Sequence, residues 1–480
     1  MRALRYFAVA AIVAAGCATN PATGRRQLIL VSEAQEIQMG RESDAAVRQQ
    51  MGVYDDPALQ DYVNRIGQRL ARQSHRPDLP WTFTVVNEPA VNAFALPGGF
   101  IYVTRGILPY MRNEAELAAV IGHEVGHVDA QHSVEAISRQ TLGGGALALG
   151  SIFLPEGAPQ AAAGLAGIGL QAVFLKYSRE AELEADELGV GYTARAGWAP
   201  SAMAGMLGTL ARLDAASGSS RGIPNWALTH PPAADREQRV EQLIATTPAP
   251  ASPVTNEAEF DRRIDGMVFG DSREKGMVRG NEFVHPVLRF AVRFPEGWEI
   301  VNGDDQVSAY RDPNGNLAMV LQLVQNATGS VEETAARVTS NSGYRLVSGE
   351  RTRINGLDAY VGTYEGTVQQ ATMGLRIAHI RAANQTYVIA GIAPASQYGG
   401  VQPTFSSAIQ TFRELSAQEA AAIQPNRIDF YTVRAGQTWD AIARGPSGGR
   451  ISAASLAIMN GAQPGSAPRA GDRIRIVVGG

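Results

Sequence analysis

In His123-Glu124-Val125-Gly126-His127 two histidines stand four positions apart with an acid between them. This spacing constrains the local fold, because a helix is what puts residues four apart on one face. On such a face the two imidazoles can grip one divalent ion, and Glu124 is angled to polarise an ion-bound water. With seven histidines in 480 residues, the pattern is seldom reached by chance. Two satisfied core histidines would leave the charged Glu124 between them without a reason.

The flanks support a helix. Asn113 is a suitable cap, and Glu116 three residues later completes a capping-box pattern. Leu117, Val120, Ile121 and Val128 recur at helical spacing as a core stripe, with His123 and His127 at its edge, as ligands lining a cleft would be. A catalytic zinc site wants three protein ligands and one open position. A third histidine ten residues after the first, following a glycine, is one solution, but those positions hold Ser133 and Ala130. His132 is one residue out of register and reads as a structural residue or an outer partner of the site. The other solution is an acid on a later helix. The stretch Tyr177-Ser178-Arg179-Glu180-Ala181-Glu182-Leu183-Glu184-Ala185-Asp186 offers several, and spacing alone does not separate Glu180, Glu182 and Glu184.

The chain resembles the HtpX and CAAX-prenyl-protease family of zinc metallopeptidases, in its soluble periplasmic branch. The family pattern Ser-Arg-x-x-Glu-x-x-Ala-Asp is met from Ser178 to Asp186 without departure. Asn92-Ala93-Phe94-Ala95-Leu96-Pro97-Gly98-Gly99 is similar to the family's strand and turn before the zinc helix, and Thr229-His230-Pro231 followed by Arg236 matches a further motif. The resemblance covers residues 18–245. It implies a Zn²⁺ ion on His123, His127 and Glu182, with Glu124 as general base and Asp186 as support for a ligand histidine. It also implies that His230 lies near the metal, where it binds it, gates the site or, like Arg236, steadies the developing oxyanion. The expected reaction is peptide-bond hydrolysis.

Two stretches near the motif bear on substrate. Trp81 to Val86 and Gly99 to Thr104 alternate like strands. An exposed edge there would hold an extended peptide by strand addition, while an ordinary internal hairpin is the plain alternative. Thr141 to Lys176 is rich in Gly, Ala and Leu, but Pro155, Glu156 and Pro159 break it into pieces shorter than the roughly 20 residues that span a bilayer. It reads as apolar helices and loops packed near the cleft as a lid, with a re-entrant or membrane-touching segment as the alternative.

The chain opens with Arg2, Arg5 and an apolar run from Phe7 to Ala15, the layout of a signal peptide. Ala14-Ala15-Gly16-Cys17 resembles a bacterial lipobox, which implies lipidation at Cys17, the only cysteine, and an anchor in the outer membrane facing the periplasm. A plain secretory signal is the alternative. The lone cysteine excludes an intramolecular disulfide. A net charge of −4 without a basic tract argues against nucleic-acid partners.

The length predicts a multidomain chain. A mainly α zincin-like peptidase domain with a small β-sheet is expected over residues 17–245, behind the signal peptide of residues 1–16. Ser32 with Gln35 caps a helix to about Met51, and Leu59, Val63, Ile66 and Leu70 mark a second. The Pro-rich run from Thr247 to Pro253 begins a linker, residues 246–280, parts of which can still pack on the peptidase. Residues 281–416 read as an α/β sandwich. Its strand candidates are Leu288 to Phe294, Leu317 to Val324 and Thr386 to Ile392. One of its helices is capped by Ser330 and Glu333, and a second carries Phe405, Ala408, Ile409 and Phe412 on one face. Phe294 to Trp298 resembles domains of the PsbP and Mog1 type. Residues 428–478 resemble a LysM domain, a strand–helix–helix–strand module that binds peptidoglycan glycan, with Trp439 at a position usually aliphatic.

Three functions follow. The first is a zinc metalloendopeptidase for envelope quality control that cuts misfolded or stalled periplasmic and outer-membrane proteins. The second directs the same site to peptidoglycan crosslinks through the LysM-like segment. The third is an assembly chaperone or scaffold whose peptidase activity is latent, with His230 closed on the zinc.

Overall fold

A computed structural model describes residues 17–143, 177–217, 226, 230, 236–303, 306–311, 317–325, 327–340, 343–368 and 371–480. The expected signal peptide and residues 144–176 of the Gly/Ala/Leu-rich stretch lie outside the described residues. The chain forms two compact units, one built from residues up to Gly270 and again from Asn426–Gly479, the other from Asp271–Pro425.

The first unit opens with a short antiparallel pair, β1 (Cys17–Thr19) and β2 (Arg26–Leu28). Asn20 between them donates to the carbonyl of Ala130 at 2.7 Å and to Gln27 at 3.0 Å. Helix α1 (Glu33–Met51) starts at Ser32, where both halves of the capping box with Gln35 form. Helix α2 (Pro57–Ala71) starts with Pro57 in its first turn and Asp56 as cap. The small sheet is ordered β3 (Thr82–Val86), β5 (Phe100–Thr104), β4 (Ala93–Leu96). The strands at 82–86 and 100–104 pair in parallel, so they are not the two arms of one hairpin; β4 pairs antiparallel with β5 and lies at the sheet edge.

Helix α3 (Glu114–Asp129) carries the pentapeptide. Asn113 caps it by accepting from Glu116 N at 3.1 Å, but Glu116 turns its carboxylate to Arg112, so only half of the expected box forms. Every residue of α3 is buried. The expected placement of the histidines at the edge of an apolar stripe therefore gives way to burial on all sides, the state of a helix running through a core. Left-handed Gln131 separates it from α4 (His132–Gly143). Helix α5 (Arg179–Arg195) is capped by Ser178. It meets α3 backbone to backbone: a methyl group at Gly189 would sit 2.9 Å from His123 N, and one at Gly126 would sit 3.0 Å from the Ala185 carbonyl. Helices α6 (Ala202–Ser217), α7 (Arg236–Thr246) and α8 (Glu257–Ile264) complete this part.

The stretch 246–280, expected as a linker, is divided. Val254 bridges to Trp198, and Phe260 and Ile264 are buried in the core of the first unit. The second unit begins at Asp271, ten residues before the expected boundary. It contains β6 (Met277–Arg279), β7 (Glu282–His285), β8 (Phe290–Arg293), β9 (Glu299–Asn302), β10 (Gln306–Tyr310), β11 (Ala318–Leu323), α9 (Val331–Ser340), β12 (Arg345–Ile354), β13 (Leu357–Val368), β14 (Ala371–Ala382), β15 (Gln385–Pro394), α10 (Ala395–Ile409), β16 (Arg413–Glu414) and α11 (Ala417–Ala422). A seven-stranded antiparallel sheet runs β12-β13-β14-β15-β11-β10-β9, and a four-stranded one runs β16-β8-β7-β6. Period-two alternation divides the large sheet's side chains: Ala378, Ile380 and Ile389 pack with Phe405 and Ile409 of α10, while Tyr364, Leu375 and Ile377 form a cluster on the opposite face.

The chain then returns to the first unit through β17 (Arg427–Thr432), α12 (Trp439–Arg444), α13 (Ala453–Met459) and β18 (Arg473–Val478). Ile428, Trp439, Leu456 and Ile476 share one core with Leu59, Ile101, Leu117 and Val125 of the peptidase part. Buried Arg475 pairs with Asp261 at 2.8 Å and donates to the carbonyls of Pro109, Met111 and Arg112, just ahead of α3. No described helix is long and apolar enough to cross a membrane.

Candidate metal centre

The site lies where α3 and α5 touch. His123, Glu124 and His127 come from one turn of α3; Glu182 and Asp186 come from one turn of α5 and are buried. His230 arrives from a segment whose flanking residues Thr229 and Pro231 are outside the described residues, and Arg236 opens α7. The close approach at Gly126 and Gly189 brings the two helices near enough for short acidic side chains to reach the imidazoles.

Four donors converge. Nε2 of His123 and Nε2 of His127 are 3.0 Å apart. Nδ1 of His230 is 3.3 Å from His123 Nε2 and 3.0 Å from Glu182 Oε1. Glu182 lies 3.4 Å from His127 Nε2 and 3.6 Å from His123 Nε2. Donors about 2.0–2.2 Å from a tetrahedral ion are separated by about 3.3–3.6 Å, so this spacing fits a metal ion. Three imidazoles and a carboxylate form a buried metal-binding cluster of His123, His127, Glu182 and His230. The geometry selects Glu182 among the three alternating acids: Glu184 turns to His132, and Glu180 stays outside.

The surrounding groups hold the donors. His123 Nδ1 lies 2.9 Å from Asp186 Oδ1. Arg236 spends its guanidinium on two acids, at 2.8 Å from both oxygens of Asp186 and 2.7 Å from Glu182 Oε2. Glu124 is fully buried, with His230 Nε2 at 3.5 Å and no hydrogen-bond partner among the described residues. A buried carboxylate in that condition is costly unless a polar group faces it during function.

Electrostatics follow from burial and proximity. Burial raises the Glu124 carboxyl above its ordinary range, with His230 and His123 opposing. Burial holds His127 well below the usual imidazole range, hence neutral, the form that binds a metal. Burial alone would raise Glu182, but His230 and His127 outweigh it and hold this carboxyl well below normal. Asp186 is likewise lowered against its burial by His123 and Arg236. For His230, burial is outweighed by Glu182 and Glu124, which raise it.

Two aromatic neighbours were not foreseen from the sequence. Tyr177 stacks on His127 with ring centroids 3.9 Å apart, and its hydroxyl meets Ser133 Oγ at 2.8 Å. Trp226 stacks on His230 at 4.1 Å. The available signals were weak: Tyr177 directly precedes the cap Ser178, and Trp226 stands four residues before His230, whose N–H bonds its carbonyl.

The profile of Peptidase family M48 matches residues 57–244. The beta-barrel assembly-enhancing protease of Escherichia coli (strain K12) is 35% identical over 238 residues, 47% of this chain and 48% of that protein. The mitochondrial metalloendopeptidase OMA1 of Schizosaccharomyces pombe is 34% identical over 232 residues, 47% of this chain and 65% of that protein. The chain thus spans about half the length of the first relative and under two thirds of the second. The solution structure of cyanobacterial PsbP from Synechocystis sp. PCC 6803 is 12% identical with a TM-score of 0.23, covering 29% of this chain and 95% of that one, a likeness too low to assign a fold. The match to Peptidase family M48 thus spans residues 57–244, and the metal-binding cluster of His123, His127, Glu182 and His230 lies inside the matched segment.

Proposed function

We propose that this protein is a zinc-dependent endopeptidase that cleaves misfolded or stalled proteins of the bacterial envelope. The observation that carries the reading is the fully buried Glu124 carboxylate beside a converging His123, His127 and Glu182 donor set. A zinc ion held by those three residues would acidify a bound water and polarise the scissile carbonyl. Glu124 takes the proton from the attacking water and delivers it to the leaving amine, and its burial makes it a stronger base than a solvated carboxylate. Asp186 orients His123, and Arg236 orients Glu182 and Asp186. His230 takes the fourth position around the donor set and must withdraw to admit water and substrate.

The substrate class rests on the name of the E. coli relative, a protease that enhances β-barrel assembly, together with the lipobox ending at Cys17. In this reading the chain is a periplasmic lipoprotein held at the outer membrane through Cys17, and residues 428–478 are a LysM-like segment that keeps it near peptidoglycan. A Glu124→Gln variant is expected to retain its zinc and to lose cleavage of unfolded envelope protein by about 10²–10⁴-fold. Full proteolysis by this variant overturns the proposal, and release of muropeptides from sacculi without protein cleavage points to a peptidoglycan-directed peptidase instead.

The position of His230 favours one second reading, an assembly scaffold whose peptidase is latent at rest. Complementation of a deletion strain by Glu124→Gln would support it.

A further inference from the structure

The two ligand histidines of α3 are backed differently. The outer nitrogen of His123 faces a carboxylate, Asp186, at 2.9 Å. The outer nitrogen of His127 faces another imidazole: His127 Nδ1 lies 2.9 Å from His132 Nδ1. His132 is buried, and its Nε2 lies 3.1 Å from Glu184 Oε2. Glu184 is partly exposed and lies 3.4 Å from Arg25, in the turn between β1 and β2.

Two neutral imidazoles meet nitrogen to nitrogen only when one donates and the other accepts. Glu184 settles which. As an acceptor it draws the His132 proton onto Nε2, which leaves His132 Nδ1 with a lone pair. That lone pair accepts from His127, whose proton then sits on Nδ1 and whose Nε2 lone pair points into the donor cluster. The opposite arrangement would put a proton on His127 Nε2, where it would block ligation.

We infer that His132 and Glu184 are positioning residues for the metal ligand His127, setting its tautomer and ring orientation through a carboxylate–imidazole–imidazole line. The inference rests on the metal reading of His123, His127 and Glu182. It gives a role to the histidine that fell one residue out of register for direct ligation, and to one of the two alternating acids that do not reach the cluster.

The test is zinc affinity, measured on the metal-free full chain by competition with a chromophoric chelator, alongside the visible spectrum of the Co²⁺-loaded protein. His132→Leu and Glu184→Ala are expected to loosen zinc by about 10–100-fold and to alter the Co²⁺ bands. His132→Asn, whose side-chain oxygen can accept from His127 Nδ1–H, and Glu184→Gln, which can still accept from His132, are expected to stay close to wild type in both. A merely structural His132 would lower the melting temperature without changing the Co²⁺ spectrum, and that result overturns the inference, as does wild-type zinc affinity in both His132→Leu and Glu184→Ala. If His132→Leu fails to fold, the partly exposed Glu184 carries the test through its two variants. Folded wild-type protein that binds no zinc overturns the underlying metal reading itself, a result visible before any variant is made.

Discussion

At Glu124, burial and chemistry pull against each other. A carboxylate without a hydrogen-bond partner among the described residues is among the costlier things to place in a core, and here it is kept beside four metal donors. Its neighbour His230 closes the donor set, so the resting site has three imidazoles where catalysis needs an open position. His230→Ala is expected to raise turnover of an unfolded substrate by about tenfold, because a closed state that competes with substrate scales down the competent fraction. Peptide-cleavage rates at fixed zinc concentration check this; a drop in the substrate-saturated rate would instead assign His230 to the oxyanion. The histidine pair and Glu124 were legible in the sequence because one helical turn determines their relation. Choosing Glu182 over Glu180 and Glu184 needed either the family pattern or the contact with α3, since all three acids lie on the same short helix segment.

For the secondary-structure elements, small residues do the placing. Gly126 and Gly189 let α3 and α5 meet backbone to backbone, and this approach carries Glu182 and Asp186 to the imidazoles. Gly189→Ala would put a methyl group 2.9 Å from His123 N. It is expected to destabilise by about 1–3 kcal/mol and to weaken zinc binding together with stability, as measured by denaturant unfolding and chelator competition. Capping was readable where both partners are local, as with Ser32 and Gln35 or Ser330 and Glu333. It was only half readable at Asn113, because Glu116 is claimed by Arg112. The parallel pairing of β3 with β5 could not be read from alternation, which gives faces but not partners.

Across the whole molecule, the C-terminal segment is part of the first unit's core. Arg475 pairs with Asp261 in a buried setting and binds three carbonyls ahead of the cap of α3. Arg475→Met is expected to cost about 3–5 kcal/mol by taking the donor from three carbonyls and leaving Asp261 with only the exposed Arg473 at 3.2 Å, read as a lower unfolding midpoint. The second unit carries a pH dependence of its own. Burial lowers His379 to about 4 from 6.5, and His285 likewise to about 4. Between those limits the unfolded chain binds more protons than the folded one, so stability is full above about pH 6.5 and falls as pH drops toward about 4. His379→Leu is expected to remove about 2 kcal/mol of the stability difference between pH 7 and pH 4.5, as denaturant titrations at those two pH values would show.

The sequence by itself determined what is local: the helix under His123 and His127, the acid between them, the caps, and the change from helical to strand periodicity in the second half. These follow from spacings of a few residues, which backbone geometry converts directly into shared faces. The tertiary structure decided what depends on long-range packing: which acid meets the imidazoles, how Arg236 is spent, and that 254–270 and 426–479 share the peptidase core. Packing of this kind depends on side-chain volume and close approach between segments up to hundreds of residues apart, and no local period records it.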